Sequence, residues 1–301
     1  MPIDLPYSFL VKDGDFAWSC GQLALDSQSQ IMAAGDLVAQ SEIVCDYIEK
    51  ILKRADLDPS ALRRLLLYYI DQNDGDRDAM LKVFESRFGH AVLLNPIPVP
   101  HYYYEGVELE VDAFCHSGLS QFRRVDNNGC QIRIVGEEAL WISLEADTAN
   151  LDEIFARVTE AVGRGFSCLS EHWFVPEGLL VESQPMVDKG AIVSSGPKSD
   201  KVRAHFTFHL STEPVDEEIV TKGDVTIVFR QSGRFAWLQG RSINGGLGLV
   251  EQTKAIMKTF EALLPNKGLS FADVVKSTTH YVGGSAEELH SNMQVRNAYY
   301  S

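Results

Sequence analysis

Two stretches of strict alternation stand out along this chain. At 107–112, Val107, Leu109 and Val111 alternate with Glu108, Glu110 and Asp112. At 203–210, Arg203, His205, Thr207 and His209 alternate with Ala204, Phe206, Phe208 and Leu210. Successive side chains of a strand point to opposite faces, so each stretch predicts a strand with one apolar and one polar face. Elsewhere the apolar period lengthens to that of a helix. Val44, Ile48, Ile51 and Leu52 form one stripe, Leu151, Ile154, Phe155, Val158 and Val162 a second, and Ile256, Phe260, Leu263 and Leu264 a third. Asn150 stands where it can cap the second of these helices, with Glu153 three residues later. "LRRLLLYYI" and "VVKSTTHYV" read as further strands, and "DRDAMLKVFESRF" and "AEELHSNMQVRNAYY" as further helices. Helices interleaved with strands predict an α/β (α+β) architecture, each sheet carrying its helices on one face.

The pattern repeats. "GDFAWSCGQ" from Gly14 and "GRFAWLQGR" from Gly233 share Gly-x-Phe-Ala-Trp-x-x-Gly, and each closes a hairpin-like pair of short strands. Behind them Gln40 aligns with Gln252, Leu52 with Leu264, Leu57 with Leu269 and Tyr69 with Tyr281, at a constant offset of 212. Self-similarity of this kind indicates duplicated structural units. The middle of the chain reads as a third, more worn copy. It has a hairpin in "CQIRIVGEEALWISLEAD", the capped helix, and "KVRAHFTFHLS" as its closing strand, but only the loop-like "ESQPMVDKGAIVSSGPKSD" in place of a second helix. An unrelated α+β insert is the alternative. "SGPKSD" and "STEPVDEE" are the most linker-like runs. The expected units are 1–116, 121–212 and 216–301.

Composition narrows the function. The net charge of −15 argues against nucleic acid and against an anionic membrane surface, since both need a basic face. No apolar run reaches the ~18 residues a membrane helix needs. The N-terminus has no basic stretch followed by a long apolar run, so no signal peptide is expected. Five cysteines, an odd number without a C-x-x-C pair, predict neither a disulfide framework nor a zinc site and favour a reducing, cytoplasmic setting. His205 and His209 alone are a weak metal signal, so no metal or cofactor is expected.

Pro6-Tyr7 before the first hairpin, Gly21-Gln22 after it, the Gln40 helix and the "LEVDAF" strand together resemble the Rid family, also called YjgF/YER057c/UK114. The resemblance covers the first copy and the last from about Val225 onward. It implies homotrimers with a central sheet barrel, helices outside and ligand clefts between subunits. Three units in one chain would then fold as an internal pseudo-trimer, open to further self-association. It also implies a small-molecule ligand and hydrolysis of reactive imines and enamines, an arginine holding the substrate carboxylate and a glutamate on the last strand orienting water. Asp112 matches that glutamate and is the candidate catalytic residue. Tyr7, Gly21, Arg241 and Asn292 are the candidate ligand contacts. The arginine has no counterpart in the first copy: 88–122 contains neither Arg nor Lys, and "AVLLNPIPVPHYYYEG" is apolar and aromatic instead. Hydrolysis of 2-aminoacrylate-type imines is therefore expected to be weak or absent. "HYYYEG" fits either a pocket wall or packing at a seam. The last copy reaches Ser301 before any counterpart of the closing strand, which suggests a shortened chain or a borrowed strand. A chorismatase-like hydrolase and a non-catalytic ligand-binding or scaffold protein are the competing readings.

Overall fold

The computed structural model describes residues 8–73, 75–127, 129–147, 150–180, 183–195, 201–211, 213–243, 245–281 and 285–300. The first sheet is built from β1 (Leu10–Asp13), β2 (Phe16–Ser19), β3 (Gln22–Leu23), β4 (Leu62–Ile70), β5 (Leu93–Val99) and β6 (Leu109–His116). Helices α1 (Leu37–Arg54) and α2 (Asp76–Phe88) lie between its strands in sequence. The order is β1-β2-β6-β4-β5, with β3 also on β6. The second sheet contains β7 (Gln121–Asn127), β8 (Cys130–Gly136), β9 (Ala139–Ala146), β10 (Phe166–Val175), β11 (Ile192–Ser195) and β12 (Val202–Leu210). It carries α3 (Leu151–Val162) and the short α4 (Gln184–Asp188), and its order is β11-β10-β12-β9-β8-β7. A three-stranded meander follows, β13 (Asp216–Lys222), β14 (Val225–Ser232) and β15 (Phe235–Ser242), backed by α5 (Leu249–Leu263) and α6 (Ala286–Tyr300).

The first two sheets share one topology. In each, a hairpin pairs through its second strand with the closing strand, that strand runs antiparallel to a long strand, and the long strand is parallel to the outer one. The fold is thus a mixed α+β arrangement of repeated units. The "loop-like" run of the middle copy is the exception to the expectation: it holds α4 and β11, a reduced version of α2 and β5. Residues 196–200 of its "SGPKSD" end lie outside the described residues. The run "STEPVDEE", read as linker, ends inside strand β13, whose acidic residues stay exposed and which pairing with β14 creates.

Burial follows the periodicities. Val44, Ile48 and Leu52 of α1 pack on Leu65, Leu67, Leu109 and Val111. Ile154 and Val158 of α3 pack on Trp173 and Phe206. Asp36 caps α1 by accepting from Ala39 N at 2.9 Å, and Asn150 caps α3 by accepting from Glu153 N at 3.1 Å. The opposite faces of the sheets meet in a further cluster. Phe16, Leu66, Ile97 and Phe114 of the first sheet touch Val135, Trp141 and Phe174 of the second, with Phe235 of the third against them. The two repeated hairpins come together here: Phe16 and Phe235 stack edge to face at 4.7 Å, and Arg234 pairs with Asp13 at 2.9 Å.

"VVKSTTHYV" does not form the expected strand. Within 274–281 the chain runs without a ladder, whereas its counterpart β4 is hydrogen-bonded on both sides, to β6 and β5. A strand persists only where neighbours take up its backbone groups, and the third sheet holds three strands among the described residues. The segment crosses instead to the first and second sheets. No described helix is long and apolar enough to cross a membrane.

Candidate functional site

The polar face of β6 builds the site. Val111 and Ala113 point to the helices, so Glu110, Asp112 and Phe114 face the other way, beside Tyr68, Leu66 and Arg64 of β4. Asp112 is buried, and the Lys276 ammonium stands 2.6 Å from its Oδ1. Lys276 also donates to Ser19 O at 3.0 Å, at the end of β2. A cation from the 274–281 segment thus closes on the carboxylate expected to be catalytic. Lys276 is the counterpart of Arg64 at the repeat offset.

Glu110 lies next to this pair. Burial, reinforced by the Asp112 charge and opposed by Lys276, pushes its carboxyl up to about 7. A group that is half protonated near neutral pH can give or take a proton at little cost. Gly21 makes the space for it: a Cβ there would stand 1.7 Å from Glu110 Oε1. We expect Gly21→Ala to destabilise the fold by about 1–3 kcal/mol through overpacking and to move the titration of Glu110. Denaturant unfolding and carboxyl NMR would check this, and unchanged values for both would count against the contact. Cys20 adjoins the cluster, but burial raises its thiol, which leaves it a poor nucleophile.

The other expected contacts lie elsewhere. Tyr7 is outside the described residues. Arg241, on β15, is matched by Asp188 of α4 at 2.8 Å and does not join the cluster. Asn292 is fully buried between α5 and α6, where it donates to Thr253 Oγ1 and accepts from Arg296 Nε at 3.1 Å. Arg296 in turn donates to Thr279 Oγ1 at 2.9 Å, so Asn292 helps hold the segment that carries Lys276. The tyrosines of "HYYYEG" pack at a seam. Tyr102 donates to Tyr68 O at 2.7 Å, Tyr103 stacks on Tyr281 at 6.3 Å, and the Tyr104 hydroxyl lies 2.9 Å from His290 Nε2.

A cleft opens between the first two sheets. Arg77 and Asn95 line one side, and Arg133, Glu145, Arg203 and His205 the other. Glu145 accepts from Lys201 and Arg203 at 3.0 Å each, and its carboxyl lies below the usual range because those bonds outweigh burial. Asn95 Oδ1 and Arg77 Nε are buried without a partner. No group of three or more His, Cys, Asp or Glu placed to hold a metal ion occurs among the described residues.

No protein-family model matches the chain. RutC family proteins of Pyrococcus abyssi and Pyrococcus horikoshii are each 29% identical to it over 86 residues, which is 29% of this chain. Over this stretch the chain is similar to the RutC family. It spans 66% of the length of the first relative and 67% of the second. Solved Rid structures overlap a somewhat larger part, at lower identity. RidA from Psychrobacter sp. PAMC 21119 is 20% identical, with a TM-score of 0.32 over 36% of this chain and 87% of its own. Rv2704 from Mycobacterium tuberculosis, a YjgF/YER057c/UK114 protein, is 19% identical, with a TM-score of 0.32 over 38% and 88%.

The functional residue missed by sequence reasoning is Lys276. Glu110 was visible in the alternation but not its burial. Lys276 is 164 residues from Asp112, and only its alignment with Arg64 could have drawn attention to it.

Proposed function

We propose that this Rid-like protein binds a small amino-acid-derived metabolite where its repeated units meet and that its chemistry is slow hydrolysis of an imine or enamine. In this reading the units are 1–116, 121–212 and 216–301, packed as an internal pseudo-trimer; the cluster shared by all three sheets supports that packing. The observation that carries the chemistry is Glu110, titrating at about 7 beside a fixed Lys276–Asp112 pair. Protonated Glu110 hydrogen-bonds the imine nitrogen and passes its proton to it as water adds to the carbon. The resulting carboxylate then takes the proton released by the added water. Glu110 then protonates the amine of the resulting amino alcohol and takes up its hydroxyl proton, so ammonia leaves, the carbonyl product forms and Glu110 is restored. Lys276 cannot replace the arginine absent from 88–122, because Asp112 already neutralises it. Turnover of 2-aminoacrylate-type imines should therefore fall well below that of a typical Rid enzyme. Coupled ammonia release tests this: slow turnover that disappears in Glu110→Gln supports the reading, and turnover unchanged in that variant rules out Glu110. Asp112→Asn is expected to lower the rate further.

The same Lys276–Asp112 pair favours a second reading, a ligand-binding protein without turnover. Thermal stabilisation by a metabolite with no ammonia release would select it.

A further inference from the structure

The third sheet is open where its counterparts are closed. In the first unit β2 pairs on one side with β1 and on the other with the closing strand β6, and in the second β9 stands likewise between β8 and β12. β15 carries the second Gly-x-Phe-Ala-Trp motif and pairs with β14 alone among the described residues. Ser232 and Phe235 close the two-residue turn between these strands. The backbone groups of Ala236, Leu238 and Gly240 therefore point away from β14, towards the open edge. Residues 274–281, the counterpart of the β4 strand that flanks β6 on its other side, have no ladder either.

Side-chain exposure marks the same gap. Ala17 of β2 is fully buried where β2 meets β6, whereas its equivalent Ala236 is exposed and Trp237 is 37% exposed. The helix layer above is in place. α6 packs on α5 as α2 packs on α1. Yet α2 buries Met80, Val83 and Phe84, and α6 only Asn292, with Leu289, Met293 and Val295 left half-buried. The two edges of the sheet also differ in kind. β13 lines its edge with Asp216, Glu217, Glu218 and Lys222, charges that keep a foreign strand away. β15 has no charge before Arg241, which Asp188 holds at 2.8 Å.

We propose that the open edge of β15 is a docking site for an extended segment of a partner protein with aliphatic residues at every second position. The repeat specifies this guest: β6 turns Leu109, Val111 and Ala113 towards the helices of the first unit. The guest backbone completes the ladder of the third sheet. Its aliphatic side enters beneath α5 and α6, where Ile256 and Phe260 already reach Gly240. The inference rests on the repeated units and does not depend on imine hydrolysis.

The probe is a synthetic peptide of residues 107–114, VELEVDAF, the guest that the first unit already holds. The same peptide with Val111→Pro, which lacks one N–H, is the control. Labelled peptide is titrated with the full chain and followed by fluorescence anisotropy, with hydrogen exchange read at the amides of Ala236, Leu238 and Gly240. The expected result is saturable one-to-one binding, slowed exchange at those amides, and binding of the proline peptide weakened about tenfold. In the protein, Ala236→Pro removes an outward N–H and leaves the ladder with β14 intact. Ala236→Lys places a charge where the docked strand would bury it. Each should weaken binding about tenfold. Should Ala236→Pro fail to fold, Ala236→Lys decides, since the side chain there is exposed in the free chain. Absence of saturable binding would overturn the proposal, as would unchanged affinity in Ala236→Lys. So would a chain that sediments as a dimer with the three amides protected before any peptide is added, because the edge would then belong to a second copy.

Discussion

Lys276→Met is expected to cost the fold about 3 kcal/mol, the lower end of what removing one partner of a buried ion pair costs. The cause is what stays behind. Asp112 is 4% exposed, and without the ammonium at 2.6 Å its carboxylate has no compensating charge. The lysine side chain is about a fifth exposed, which places the effect below that of a fully enclosed pair. The reverse change should be milder. Asp112→Asn leaves a lysine that still donates to Ser19 O and reaches water, so about 1–2 kcal/mol is expected, the size of a lost hydrogen bond to a charged group. Lys276→Met with Asp112→Asn should recover most of the loss. Urea denaturation of the three variants measures the asymmetry. Equal costs for the two single changes would mean that Asp112 is solvated and the pair is peripheral.

The second large effect is a loss of stability as pH falls from 7 towards 5. His172 and His205 are buried, and desolvation holds both imidazoles well below their usual range, the Arg64 charge adding to it. In the unfolded chain both titrate near 6.5. Their contribution is therefore complete above 6.5, where neither state is protonated. Below it the unfolded chain takes up protons that the fold refuses, and stability falls by about 1.4 kcal/mol per pH unit for each imidazole. His116 and His209, also lowered by burial, act in the same direction. Glu110 acts in the opposite one. Raised to about 7, it holds a proton in the fold that the unfolded chain releases above its ordinary range, so its contribution grows as pH falls. Partial exposure reduces that offset, and the imidazoles dominate. Denaturation midpoints at pH 7, 6 and 5 should decline, and His205→Asn should flatten the decline. A midpoint constant from 7 to 5 would contradict the burial of these rings.

Much of the fold was legible because its strands and helices carry their own period. The hairpins, the α1, α3 and α5 stripes and the opposite faces of β6 and β12 follow from residue order alone. The misread parts obey long-range rules. β13 is mostly polar and becomes a strand only through β14. Residues 274–281 have strand composition but no ladder. The site was half legible: alternation placed Glu110 and Asp112 on the polar face of one strand. No local pattern announces that a lysine 164 residues away closes on Asp112.

The meeting of the two Gly-x-Phe-Ala-Trp hairpins has a consequence for how such a chain can diverge. Where the first copy has Asp15 after its turn glycine, the last has Arg234, and Arg234 reaches across to Asp13. Identical subunits must carry the same charge at every equivalent corner, so any substitution there is repeated in every copy. Joined in one polypeptide, the copies are released from that constraint. One corner can become acidic and its neighbour basic, and tethering supplies the local concentration that lets a weak exposed pair form. Fusion thus turns a symmetric contact into a lock and key, and each remaining seam is free to acquire a chemistry of its own.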